Sequence, residues 1–138
     1  MPSIRISGED ILQKKMNDLL KQFPEKRRGL HEKLAELGKN VVDESIRATV
    51  NDTHGHVQSW QESTVGSGGG YARVKPMKGS RTKGNRTDAY GALTRYIDAG
   101  HGNARGREFY AASTKRLETE AVRMAEKFVD EIVKELGG

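Results

Sequence analysis

The sequence predicts an α+β fold: a small antiparallel sheet with N-terminal helices and a long C-terminal helix packed on it. Three observations carry that prediction. Both ends of the chain repeat apolar residues at helical spacing, the middle alternates around a glycine run, and ten of the sixteen glycines fall between Gly66 and Gly106. At 138 residues the chain fits one domain, with a helical front over 8–50, a sheet with glycine-rich basic loops over 53–106 and a C-terminal helix over 107–136.

Each element follows from its residues. Ser3-Ile4-Arg5-Ile6-Ser7 alternates polar and apolar side chains, as a short strand does. Ser7 and Asp10 stand three apart, a variant capping box that opens a helix. Ile11, Leu12, Met16, Leu19, Leu20 and Phe23 give that helix its apolar stripe, and Pro24 stops or bends it. Leu30, Leu34, Leu37, Val41 and Ala48 mark a second helix, widened by Val42 and Ile46 and ending near Asn51-Asp52. Gly29 and Gly38 interrupt it away from its ends, which points to close packing against a neighbour.

The middle reads as a strand over Val57–Val65, a turn over Gly66–Gly70 and a second strand over Tyr71–Lys75, together a hairpin. Met77–Thr87 has no periodicity and reads as a mobile loop. Ala92–Asp98 suits a strand or a short helix equally, and Gly100–Gly106 reads as a second loop. From Arg107 the last helix carries Leu117, Ala121, Met124, Phe128, Ile132 and Leu136 on one stripe, broadened by Val122, Ala125, Val129 and Val133, with Gly137-Gly138 releasing its end.

Charge is concentrated rather than spread. Between Arg73 and Arg107 there are nine basic and two acidic residues, a net +7 in a chain whose total is +5. Such a segment fits contact with an acidic protein surface first and nucleic acid second, with a solvated loop as the bland account. Tyr71, Tyr90 and Tyr96 are interleaved with it and could stack on bases, although tyrosines beside strands more often edge a core. Lys75, Lys78, Arg81, Lys83 and Arg86 are the candidate docking residues.

Catalytic chemistry finds little footing. The absence of cysteine excludes disulfides, thiol nucleophiles and cysteine-ligated metals. His54-Gly55-His56 has no third ligand nearby beyond Asp52, so solvated loop histidines are the simpler reading. His31 lies among Glu and Lys and needs no role; His101 reads as a surface residue. Ser59, Ser63 and Ser113 fit no nucleophile pattern, and Asp88 and Asp98 read as local salt-bridge partners. The run Gly66–Gly70 lacks the Gly-Lys-Ser/Thr ending of a phosphate loop. The expectation is a protein that is not an enzyme and takes no cofactor. No apolar run approaches the length of a membrane span or a signal peptide's core, so a soluble intracellular product is expected.

The order of features resembles the tail-completion, or head–tail joining, family of tailed bacteriophages. Three motifs carry the resemblance. The family has Thr-Gly, an aliphatic residue, Ser and often Trp where the second helix hands over to the sheet; here Thr53, Gly55, Val57, Ser59 and Trp60 stand in that order, with His54 inserted between Thr and Gly. It has an acid and a glycine two apart, here Asp98 and Gly100, and a Phe opening the last helix, here Phe109. The resemblance implies a structural virion protein that forms a homo-oligomeric ring, often six-fold, at the head–tail junction, assembled in the host bacterial cytoplasm. It implies neighbouring connector and tail proteins as partners, with DNA passing through the lumen without sequence-specific contact. A basic nucleic-acid-binding module, or a helical regulator acting on one host protein, are the other readings of the same residues. Trp60 and Phe109 are expected in the core under the hairpin.

Overall fold

The computed structural model describes residues 3–8, 12, 14–50, 56–101 and 104–137. The chain runs β1 (Ile4–Ile6), α1 (Lys14–Gln22), α2 (Pro24–Thr49), a single helical turn α3 (His56–Ser59), β2 (Gln61–Val65), β3 (Ala72–Pro76), β4 (Ser80–Lys83), β5 (Arg86–Ala89), α4 (Tyr90–Ala99), a two-residue ladder β6 (Gly100–His101) and β7 (Ala104–Arg105), and α5 (Phe109–Gly137). The class is α+β, as the sequence predicts.

β1, β3 and β2 form one antiparallel sheet in that order, with Ile4 opposite Val74 and Ser63 opposite Val74 on the other side. Period-two alternation puts Ile4, Ile6, Ala72 and Val74 on the buried face. α2 packs on that face and on α5, so it is the spine of the molecule. Its buried residues are Leu30, His31, Leu34, Ala35, Gly38, Val41, Val42, Ser45 and Ile46, a broad helical stripe. Gly38 is where the sheet comes closest: a Cβ there would stand 2.9 Å from Val74 and 3.0 Å from Ile6. The interruption by Gly38 is therefore a packing requirement. At Gly29 the corresponding atom would meet only the Phe128 ring at 3.6 Å, an ordinary contact.

α2 and α5 run antiparallel. Lys26 pairs with Glu135 at 2.9 Å at one end and Arg116 with Glu44 at 2.7 Å at the other. These exposed pairs fix direction more than they add stability, at roughly 0–1 kcal/mol each. Small side chains, Ser113, Ala121 and Ala125, alternate with larger ones on the buried side of α5. Phe109, Ser113, Leu117, Ala121, Ala125, Val129 and Ile132 are buried, whereas Met124 and Phe128 lie at its edge and Leu136 is 55% exposed. Of the predicted stripe, Leu117, Ala121, Ala125, Val129 and Ile132 are buried while Val133 and Leu136 are exposed, and Ser113 joins the buried side.

Several local predictions need correction. Val57–Ser59 is not strand; α3 makes one turn there, with the Ser59 hydroxyl donating to the His56 carbonyl at 2.6 Å, and β2 begins only at Gln61. Met77–Thr87 is not a structureless loop but contains the β4–β5 hairpin. The ambiguous Ala92–Asp98 segment is helical, within α4. The Gly100–Gly106 loop is pinched by the β6–β7 ladder, and the last helix starts at Phe109, not Arg107. Pro24 begins α2 at the position where a missing N–H costs nothing, with Phe23 as the break between α1 and α2. His31 has a role after all: its buried ring accepts the Gly8 amide at 3.0 Å, tying the chain after β1 to α2. Ser7 is buried, but Asp10 of the predicted capping box, Ile11 and the Met16 side chain lie outside the described residues.

Candidate functional site

The described parts of the three short motifs are linked through one hydrogen-bonded junction. α5 leaves its first amides without helical partners, as every helix does. The Asp98 carboxylate, at the end of α4, accepts the Tyr110 amide at 3.1 Å and so caps α5 from another helix. The Arg107 and Glu108 amides donate to the carbonyls of Ile97 and Asp98, each at 2.8 Å. The chain must turn sharply to do this. Gly100 takes φ +93°, which L side chains rarely adopt. Gly106 lies so close that a Cβ would stand 2.6 Å from the backbone of Asp98 and Ala99. Asp98 is therefore a helix cap, not the salt-bridge partner expected from sequence. Burial raises its pKa above the usual carboxylate value, opposed by the amide hydrogen bonds.

Below the cap lies a buried polar chain. The Tyr110 hydroxyl donates to Gln61 Oε1, and Gln61 Nε2 donates to the Thr94 hydroxyl at 3.1 Å and to the Val57 carbonyl at 3.4 Å. Gln61 is 3% exposed and Thr94 fully buried, so each group depends on its partner. Burial, then the nearby Asp98 charge, pushes the Tyr110 phenol well above its ordinary value and keeps it a donor. Trp60 and Phe109 are both buried here, as expected; Trp60 stacks on Tyr90 with centroids 5.7 Å apart. The junction thus clamps α3, β2, α4 and α5 together and anchors the base of the hairpin.

That hairpin is the basic arm. Its strands pair Ser80 with Ala89, Arg81 with Asp88, Thr82 with Thr87 and Lys83 with Arg86, across a two-residue Gly84-Asn85 turn. Alternation separates its faces. Ser80, Thr82, Thr87 and Ala89 share one, where the Thr82 and Thr87 hydroxyls bond at 2.8 Å. Arg81, Lys83, Arg86 and Asp88 share the other and, with Leu93 of α4, line a concavity of about 320 Å³. Arg86 holds Asp88 at 2.9 Å, the salt bridge expected of that acid. The Arg81 guanidinium stands 6.0 Å from the centre of the Trp60 ring.

The candidate docking residues do not all gather. Arg81, Lys83 and Arg86 share the arm's charged face, and exposed Lys78 leads into it. Lys75 stands on β3, 3.9 Å from Glu62. Arg73, with Arg5, flanks the Tyr71 ring instead. Of the motif residues, Asp98 and Gly100 shape the junction, the Val57 carbonyl accepts from its Gln61, Trp60 and Phe109 are buried, and Ser59 is exposed. Thr53, His54 and Gly55 lie outside the described residues; His56 is exposed. Sequence reasoning missed Gln61, Thr94 and Tyr110, since a Gln within a strand and a Tyr after Phe carry no periodic signal.

No protein-family model matches the chain, and neither the curated proteins nor the solved structures include one significantly similar to it. Among the described residues, no helix is long and apolar enough to cross a membrane.

Proposed function

We propose that the chain is a structural protein of a tailed bacteriophage, forming a ring at the neck that completes the tail and joins it to the head connector. The observation that carries the reading is that the described motif residues take structural roles around or beside one junction. Asp98 and Gly100, which carry part of the family resemblance in the sequence, turn the chain between α4 and α5; Phe109 opens α5 fully buried, and buried Trp60 stacks on Tyr90 beside an exposed arm.

The arm supplies the docking element. A ring of identical subunits needs heterologous contacts that close on themselves, and a stack of rings needs a surface aimed at its neighbour. Lys78, Arg81, Lys83 and Arg86 concentrate positive charge on a two-stranded projection whose residues are almost all exposed. Charge of one sign steers a partner of the other and fixes register more than it adds affinity. Changing Lys78, Arg81 and Arg86 to Glu abolishes joining of heads to tails on this reading, with the helical circular dichroism unchanged. Unimpaired joining by a folded variant refutes the assignment of the arm.

A further inference from the structure

The β4–β5 arm has a free edge. Among the described residues β4 pairs only with β5, and all four residues of β4 are exposed. A two-stranded ribbon is marginal alone, and an unpaired strand edge is a template for another strand. Native proteins blunt such an edge by keeping it short or by placing a charge, a proline, a bulge or a covering loop on it; β4, Ser80-Arg81-Thr82-Lys83, has neither proline nor bulge, but it is four residues long and its Arg81 and Lys83 turn away a basic or apolar strand, so an acidic one is what the edge admits.

The charges on the ribbon are unequally satisfied. On β5, Arg86 already holds the Asp88 carboxylate. On β4, neither Arg81 nor Lys83 has a carboxylate within ion-pair distance among the described residues. These two stand two residues apart on one face, about 7 Å at the usual strand rise. That spacing matches alternate side chains of a second extended chain. Asp88 shows what such a carboxylate does on this face, and Leu93 lines the same concavity, offering apolar contact to an acidic side chain's stem. β4 is only about 13 Å long at that rise, too short a row of free cations to follow a duplex backbone.

We infer that the outer edge of β4 receives an extended acidic segment of a neighbouring protein, which adds as a third strand and sets alternate carboxylates against Arg81 and Lys83. Backbone hydrogen bonds along the edge would hold the segment, and the charged face would select it. The inference deepens the docking reading above and rests on it for the claim that a neighbouring protein supplies the strand.

The test is fluorescence anisotropy on the full chain with a labelled octapeptide alternating Glu and Thr. Three probes accompany it: the same peptide with Gln for Glu, the same peptide N-methylated at alternate amides, and a 16-base-pair duplex. The expected result is that the Glu peptide binds about tenfold or more tighter than the Gln or N-methylated peptide and more tightly than the duplex. Arg81→Glu/Lys83→Glu loses that affinity while retaining its circular dichroism, and binds a Lys/Thr peptide instead. A control with the same charge change on α5, Lys115→Glu/Lys134→Glu, keeps it. Equal binding of the N-methylated peptide, equal loss in the control variant, preferred binding of the duplex, or no peptide binding each overturns the inference. The neck reading fails separately. Ring-sized particles without peptide binding discard the strand edge alone, whereas peptide binding by a protein that never assembles discards the ring alone.

Discussion

Replacing Tyr110 by Phe removes one oxygen from the junction and has two consequences that can be separated by pH. At neutral pH the variant leaves Gln61 Oε1 without its donor in a site where Gln61 is 3% exposed. A buried acceptor stripped of its partner costs about 1–3 kcal/mol, so the unfolding free energy of Tyr110→Phe in urea falls by that much at unchanged slope. The second consequence lies on the alkaline side. The phenol's folded pKa is raised above its ordinary value of 10.0, chiefly by burial. Above pH 10 the unfolded chain therefore releases a proton that the folded chain keeps. The folded state binds more protons, and stability is lost as pH rises, by up to about 1.4 kcal/mol per pH unit for this one group. A phenyl ring has no proton to release, so the variant loses less stability than the wild type between pH 9 and 11.5. Urea denaturation across that range measures both effects. Equal stability at pH 7 together with parallel alkaline profiles would refute the buried hydrogen bond.

Three further outcomes follow from the packing. Gly29→Ala gains about 1 kcal/mol from helix propensity, because its new methyl only touches Phe128, whereas Gly38→Ala gives up that gain to about 1–3 kcal/mol of overpacking against Val74 and Ile6; thermal melts showing equal stabilisation by both would contradict the close approach of α2 to the sheet. Phe109→Ala costs about 3–5 kcal/mol in chemical denaturation, and a near-neutral change would contradict its burial. Asp98, whose folded pKa is raised by burial, contributes stability below pH 3.8 that is lost as pH rises through its folded value; Asp98→Asn removes that acid-side dependence, and an unchanged profile between pH 3 and 6 argues against it.

Helices α1, α2 and α5 and the strands of the main sheet were legible because their signal is periodic, whereas α3 and α4 are too short to show one. Ile4-Arg5-Ile6 and Ala72–Pro76 alternate, and the stripe through Leu30, Leu34 and Val41 repeats at helical spacing. The errors fall where hydrophobicity and packing part company. Met124 and Leu136 are more apolar than Ser113, yet Ser113 is buried, its hydroxyl satisfied by the Phe109 carbonyl within the helix. His31 was hidden by its neighbours Glu32 and Lys33, although it belongs to the face of Leu30 and Leu34. The arm was missed because threonine, glycine and basic residues read as loop. Its one signal was Gly84-Asn85 between Arg81-Thr82-Lys83 and Arg86-Thr87-Asp88, a two-residue turn joining alternating segments. The junction rests on Gln61, Thr94 and Tyr110, whose hydrogen bonds span up to 49 residues of sequence, so no local pattern could disclose them.

The central claim is that this chain closes into a ring, and the mass of the purified protein by light scattering tests it most directly, at low and moderate salt and with and without a short DNA duplex. The account predicts a particle of about six times the 15.3 kDa chain, indifferent to the duplex. A monomer that gains mass only on the duplex and releases it as salt rises would contradict the ring and make the arm a nucleic-acid contact instead.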